Sequence, residues 1–404
     1  RRLYMDAMDL AGFDMLFPND PFFSQRTIDI GTRGNRTPSD DVYVPPTLLK
    51  SVAWNESVIT QGAPTLPFGA IGEALVSFDC GYGIGQVTSG MTAPLGEAGQ
   101  PSNEQALIAT HFAYNIGRSA AILIDKWNAA PEARPIVGID TNSDPKIVEN
   151  WYYAVWSYNG FTGPGANRSN HPMDPIYASW PRTPFSCGPA NDGLGHNRSQ
   201  YPYQELVYGC MANPPVVKGD KLWKPLNATL PDLNNPYWRA PLELANFSSP
   251  YSKMDLPTPK PQHEDPTPKP NSLMRNRVLG DPRLSIDRPI VLVNVRPGRS
   301  ATAGEVRISN TGTGIVPWRV SSNRSWITVS QQAGVAVGDD LPCLPASPCQ
   351  RSSVLKISAD PRKVLGSDAA VVTIEGLGEG GKREQIAVFI RVNVAIGVPG
   401  TTRD

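Results

Sequence analysis

One pentapeptide written twice divides this chain. Pro257-Thr258-Pro259-Lys260-Pro261 recurs as Pro266-Thr267-Pro268-Lys269-Pro270. Each Pro fixes φ and removes a backbone donor, so such a stretch is extended and semi-rigid rather than helix or sheet. On its N-terminal side apolar residues recur at helical spacing; beyond about Leu279 the period switches to two. With 404 residues the chain is also longer than one ordinary domain. The sequence therefore predicts a multidomain protein: a mainly α (α+β) N-terminal domain over 44–250, a Pro-rich linker over 251–278, and an all-β domain over 279–396. Residues 1–43 read as an N-terminal arm and 397–404 as a tail.

Within the β part, strands are expected at 290–295, 305–309, 318–321, 326–329, 354–358, 370–374 and 386–394. Seven short strands separated by turn residues in about 115 residues indicate an immunoglobulin-like sandwich. Arg307-Ile308-Ser309-Asn310-Thr311-Gly312 and Ser325-Trp326-Ile327-Thr328-Val329 resemble the BACON-type immunoglobulin-like domains of bacterial surface proteins. That resemblance implies a surface accessory module.

In the helical part, Val44-Pro45-Pro46-Thr47 opens a helix ending near Ser57, because Pro is tolerated in a first turn. Short strands are expected at 74–78 and 84–88. A long helix is expected over 103–128, closed by Pro131, and another over 146–158, started by Asp144-Pro145. From 160 to 250 periodicity dissolves into Pro, Asn, Tyr and Trp; so long an irregular insertion is a functional or interaction segment.

Charge narrows the partners. Lys+Arg and Asp+Glu both number 37, which argues against nucleic acid, since phosphate binding needs a concentrated positive field. No apolar run reaches the roughly 18 residues that span a bilayer. The chain opens Arg1-Arg2-Leu3 and reads as a processed product. Of the five Cys, Cys187 with Cys210 and Cys343 with Cys349 are candidate disulfides, leaving Cys80 as a thiol beside a Gly-rich motif. Asn-X-Ser/Thr sequons stand at Asn35, Asn55, Asn167, Asn197, Asn227, Asn246 and Asn323, each a candidate for glycan attachment. Together these features predict an extracellular or cell-surface protein. The four His have no metal spacing, so no metal or cofactor is expected.

Three short motifs carry the chemistry: Trp54-Asn55-Glu56-Ser57, then Gly81-Tyr82-Gly83-Ile84-Gly85-Gln86-Val87-Thr88, then Ser157-Tyr158-Asn159-Gly160. Over 44–160 the chain resembles the lytic transglycosylases and goose-type lysozymes. Glu56-Ser57 matches that family's Glu-Ser element, Gly83-Ile84-Gly85-Gln86 its Gly-Leu-Met-Gln element, Asn115-Ile116 its Asn-Ile element, and Tyr158-Asn159-Gly160 its Tyr-Asn-Ala-Gly element. The resemblance implies a lysozyme-like fold and cleavage of peptidoglycan strands at the bond between N-acetylmuramic acid and N-acetylglucosamine.

Glu56 would then be the acid and afterwards the base. A single carboxylate suffices when the sugar's own 6-hydroxyl replaces water, unlike the two-carboxylate scheme of most glycosidases. Ser57, Gly83, Gln86, Tyr158 and Asn159 would bind substrate or orient the acid. Asp79 is either a second carboxylate that positions water or a turn residue. Gly85 departs from the family, where a larger residue, often Met, stands. Two non-enzymatic readings stay open: a structural or assembly protein that keeps the scaffold and self-associates or meets a surface partner, and a glycan binder without turnover.

Overall fold

The computed structural model describes residues 2–66, 71–96, 100–133, 135–160, 169–189, 196–238, 255–341, 351–364, 366–379 and 381–392. They form two compact units, whose last division, after Val278, falls at the end of the expected linker. One unit comprises Arg1–Ile59, Ile84–Val87 and Phe112–Val278; the other comprises Thr60–Gly83, Thr88–His111 and Leu279–Asp404.

The first unit begins with α1 (Arg2–Gly12) and a hairpin of β1 (Ile28–Ile30) and β2 (Thr37–Ser39), so the arm is itself structured. Next comes α2 (Pro46–Ser57), with Pro45 at its N-cap and Val58 in the left-handed conformation at its C-cap (φ 56°). Pro45 cannot cap, so the carboxylate of Asp265 does it from a distance: Oδ2 accepts from the Thr47 amide at 2.6 Å and Oδ1 from the Thr47 hydroxyl at 3.1 Å.

The helix expected over 103–128 is two. His111 is extended (φ −127°, ψ 118°) and ends α3 (Asn103–Thr110), which lies in the second unit. The first unit resumes with α4 (Phe112–Ala133), which contains Pro131 rather than stopping before it. A 3-10 turn (Val148–Trp151) precedes α5 (Tyr152–Tyr158), so the expected helix starts six residues late.

The irregular insertion holds α6 (Tyr203–Ala212) and a small hairpin of β3 (Val216–Val217) and β4 (Asp220–Lys221). Its residues 161–168, 190–195 and 239–254 lie outside the described ones. α4 packs on α1 and α5, and α2 on α1 and α6. Trp151, Tyr152, Trp156 and Trp238 are fully buried among these helices.

The expected linker is extended, but it is bound into the first unit. Glu149 and Asn150 are buried polar residues that need partners. Glu149 accepts from the His263 amide (3.0 Å), the His263 ring (2.7 Å) and the Thr229 amide (2.9 Å). Asn150 accepts from the Thr258 hydroxyl at 2.7 Å. Proline denies the strap a regular ladder, yet the intervening Thr and His keep their donors. A last helix, α7, covers Ser272–Leu279.

The second unit is a two-sheet β sandwich of immunoglobulin-like type. Its strands are β5 (Leu284–Ile286), β6 (Ile290–Arg296), β7 (Ser300–Ala301), β8 (Gly304–Asn310), β9 (Ile315–Ser322), β10 (Ile327–Val329), β11 (Ala333–Val337), β12 (Ser353–Ala359), β13 (Ala369–Gly376) and β14 (Arg383–Val392). One sheet runs β10-β12-β8-β5 and the other β11-β9-β13-β14-β6-β7. All pairings are antiparallel except β14 with β6, where Phe389 stands beside Leu292.

All seven expected strands are present. β5, β7 and β11 are additional, being short or built of Ala and Gly. Alternate residues of both sheets, including Val293, Ile308, Trp318, Ile357 and Ile374, close one core. α3 packs on β9 and β11. The segments expected as strands at 74–78 and 84–88 form no ladder; the bridges there, Gly62 with Ala74 and Val76 with Tyr82, are isolated. Cys343, Cys349 and the tail at 397–404 lie outside the described residues. Among the described residues, no helix is long and apolar enough to cross a membrane.

Ile357 has no exposed surface, so Ile357→Ala should destabilise the sandwich by about 2–5 kcal/mol through lost burial and a residual cavity. Denaturant unfolding followed by tryptophan fluorescence should show a lower midpoint at unchanged slope.

Candidate functional site

Five segments of the first unit meet around Glu56. α2 delivers Glu56 and Ser57 from its last turn, the turn Ile84–Val87 passes beside them, and α4 contributes Asn115 and Ser119. The C-terminus of α5 brings Tyr158, and the N-terminus of α6 brings Tyr203.

The turn is fixed by hydrogen bonds on three sides. The Ser57 hydroxyl donates to the Ile84 carbonyl at 2.7 Å. The Gly85 amide donates to Asn115 Oδ1 at 2.8 Å, and the Gly85 carbonyl accepts from the Tyr158 hydroxyl at 2.7 Å. A Cβ on Gly85 would lie 1.8 Å from Ser119 Oγ and 3.0 Å from Tyr158 Oη. A larger residue at position 85 is therefore excluded by Ser119. Gln86 follows with φ +47°, a left-handed conformation unusual outside glycine; the bonds to Gly85 hold it.

Glu56 is half-buried. The Tyr203 hydroxyl donates to its Oε1. Burial, then the nearby Glu56 charge, pushes the Tyr203 pKa well above its ordinary value, so the phenol keeps the proton it donates. Burial and the same carboxylate also raise Tyr158. Glu56 thus accepts from one phenol, Tyr203, while the hydroxyl of the other, Tyr158, is directed at the Gly85 carbonyl.

Tyr203 is itself held in place. Its amide donates to Asn170 Oδ1 at 3.3 Å, and Asn170 Nδ2 donates to Asn159 Oδ1 at 3.1 Å and to the Gly160 carbonyl at 3.3 Å. Asn170 thereby ties the end of α5 to the start of α6. Two residues further along, in the same turn, Glu205 forms a buried ion pair with Arg182, whose Nε lies 2.7 Å from Oε2. The disulfide Cys187–Cys210 fastens the same helix to the preceding loop, with Cα atoms 4.8 Å apart. Asn55, next to Glu56, donates to the Ser51 carbonyl (2.8 Å) and to Cys210 Sγ (3.3 Å), and accepts from Arg198 Nη1 at 2.9 Å.

Of the residues singled out in sequence, Glu56, Ser57, Gln86 and Tyr158 lie in this unit at or beside the turn. Asn159 is exposed and reaches the cluster through Asn170. Gly83 and Asp79 belong to the second unit: the Gly83 amide donates to the Leu75 carbonyl at 2.9 Å, and Asp79 is an exposed turn residue that accepts from Ser77. Tyr203, Asn170, Ser119 and Arg198 were not foreseen. The spacing of Tyr203, Leu206, Val207, Cys210 and Met211 was the available helical signal for the first of these. Among the described residues no group of three His, Cys, Asp or Glu is placed to hold a metal.

No family model matches the chain, and no curated protein matches it in sequence. Solved structures do align with part of it. The PapD-like domain 7 of human CEP192 is 14% identical over 28% of this chain and 86% of that domain, with a TM-score of 0.23. A Bacteroides ovatus GH5 xyloglucanase is 15% identical over 28% of this chain and 19% of its own (TM-score 0.20). The E. coli chaperone DraB is 12% identical over 27% and 55% (TM-score 0.21). The chain spans about a fifth of the xyloglucanase and about half of the chaperone. At these scores the likenesses carry no argument about activity, substrate or partner.

Two predictions follow from the packing. Gly85→Ala should lower stability, and Ser119→Gly should recover more when added to that variant than it changes alone; a double-mutant cycle in denaturant measures the coupling. The second concerns His171, whose ring centroid lies 5.6 Å from that of Trp156 and 6.2 Å from that of Trp238. Burial lowers its pKa to about 4, whereas in the unfolded chain it titrates near 6.5. The unfolded state therefore binds more protons between those values. The stability due to neutral His171 is whole above about pH 6.5 and is lost as pH falls toward 4. His171→Gln should flatten that part of the dependence in unfolding midpoints measured from pH 7 to 4.

Proposed function

We propose that this protein is a secreted or surface-held lytic transglycosylase, acting on the β-1,4 bond between N-acetylmuramic acid and N-acetylglucosamine in peptidoglycan. The observation that carries the reading is the Tyr203–Glu56 hydrogen bond beside a Gly85 turn braced by Ser57, Asn115 and Tyr158. A half-buried carboxyl, oriented by a phenol that keeps its proton, suits an acid that must later act as a base.

In the proposed reaction Glu56 gives its proton to the glycosidic oxygen as the C1–O4 bond breaks. The 6-hydroxyl of the same muramic residue then attacks C1, and Glu56 takes the hydroxyl proton. One C–O bond is broken, one is formed, and the carboxyl is restored. Tyr203 positions Glu56 and supports its anionic stage by a charge-assisted hydrogen bond. Gln86 and Asn159 are proposed to meet the sugar strand. The sandwich would serve as an accessory module, and the Cys187–Cys210 disulfide supports a location outside the reducing cytosol.

A second reading, a non-catalytic surface or assembly protein, is favoured by one feature. Ile290 and Leu292 on β6 and Phe389 on the paired β14 are 58%, 55% and 47% exposed, an apolar stripe of the kind that meets partners.

Intact sacculi incubated with the protein should release anhydro-muropeptides, identified by mass spectrometry, and Glu56→Gln should release none. Reducing ends instead would make the enzyme a lysozyme, and no release at all would favour the second reading. Tyr203→Phe should lower kcat about 10- to 100-fold, the effect of one hydrogen bond to a charged group, while changing KM little.

A further inference from the structure

We infer that Arg198 is a carboxylate-binding residue beside Glu56, so that the strand this site takes is an anionic glycan rather than a neutral one; this rests on the glycan-cleaving reading above. Arg198 opens the 3-10 turn Arg198–Gln200, which is capped by Asn197: its Oδ1 accepts from the Ser199 amide at 3.0 Å. The turn leads directly into α6, five residues before Tyr203.

The guanidinium is exposed yet held. Nη1 donates to Asn55 Oδ1 at 2.9 Å, and Nη2 approaches the Asn55 carbonyl at 3.4 Å. Asn55 is in turn anchored to Ser51 and to the disulfide sulfur of Cys210. Both acceptors are neutral. Arg182, in the same stretch of chain, pairs its charge with buried Glu205, whereas the hydrogen bonds of Arg198 go to the two oxygens of Asn55. A guanidinium oriented by amide oxygens keeps its charge and its remaining donors for a ligand, and their fork matches a carboxylate.

Asn55, which holds the guanidinium, is the residue before Glu56, so the ligand group would sit near the scissile bond. A muramic strand presents a carboxylate there in one of two forms: the free lactyl acid, or an acid of the peptide stem once the lactyl group is amidated.

The test uses the full chain carrying Glu56→Gln, which should bind strands without cutting them. Calorimetry would compare a muramic-acid strand with free lactyl groups, the same strand with peptide stems, and a neutral chitin oligosaccharide. Adding Arg198→Gln, which retains a donor for Asn55, should weaken binding of the strand bearing the recognised acid about tenfold and leave the chitin oligomer within about twofold. Arg198→Lys should recover part of the loss. The strand that suffers identifies which acid is read.

Equal weakening of acidic and neutral strands, or none, overturns the inference. If the unmutated protein still releases fragments from sacculi, the cleavage reading survives that result. If no sacculus is cut and no strand is bound, both fail together.

Discussion

Glu56 is held by a phenol supplied 147 residues later in the chain, and much of the first unit can be read as the means of bringing the two together. α2 must end where it does, so its N-terminus is capped by Asp265 from the strap. α6 must begin where it does, so Asn170 ties its first amide to the end of α5, and the Arg182–Glu205 pair and the Cys187–Cys210 disulfide fix its first and last turns. Each bond alone is worth about a kilocalorie or a few. Together they leave a carboxyl and a phenol in one geometry across a large sequence separation.

The second constraint is one of space. Gly85 has room for no side chain because Ser119 of α4 occupies it. The sequence marks the same position as a departure from the transglycosylase pattern, where a larger residue would fill the turn. Ser119 occupies the volume beside this glycine, and the Tyr158 hydroxyl donates to the Gly85 carbonyl.

Periodicity made the sandwich legible. Strands that alternate around a core announce themselves, and only β5, β7 and β11 escaped, having too few residues or too little side chain to show a pattern. The helical part was legible wherever apolar spacing was regular, as in α2. It misled at His111, where one extended residue divides what reads as a continuous helix between two compact units. The strap misled for a different reason. Its prolines do make it extended, but composition does not reveal that buried Glu149 and Asn150 need the donors that His263 and Thr258 carry. For the site, Glu56, Ser57 and Tyr158 were visible as motifs. Tyr203 and Asn170 were not, because their contribution depends on packing between helices that are distant in sequence.

The most direct test of the central claim is a crystal structure of the Glu56→Gln protein soaked with a muramic-acid-containing strand. The account predicts a glycosidic oxygen about 3 Å from the residue 56 amide, with the Tyr203 hydroxyl still directed at that side chain and the 6-hydroxyl on the same face of the ring. A strand bound elsewhere, or a Tyr203 hydroxyl turned away from residue 56 in the complex, would contradict it.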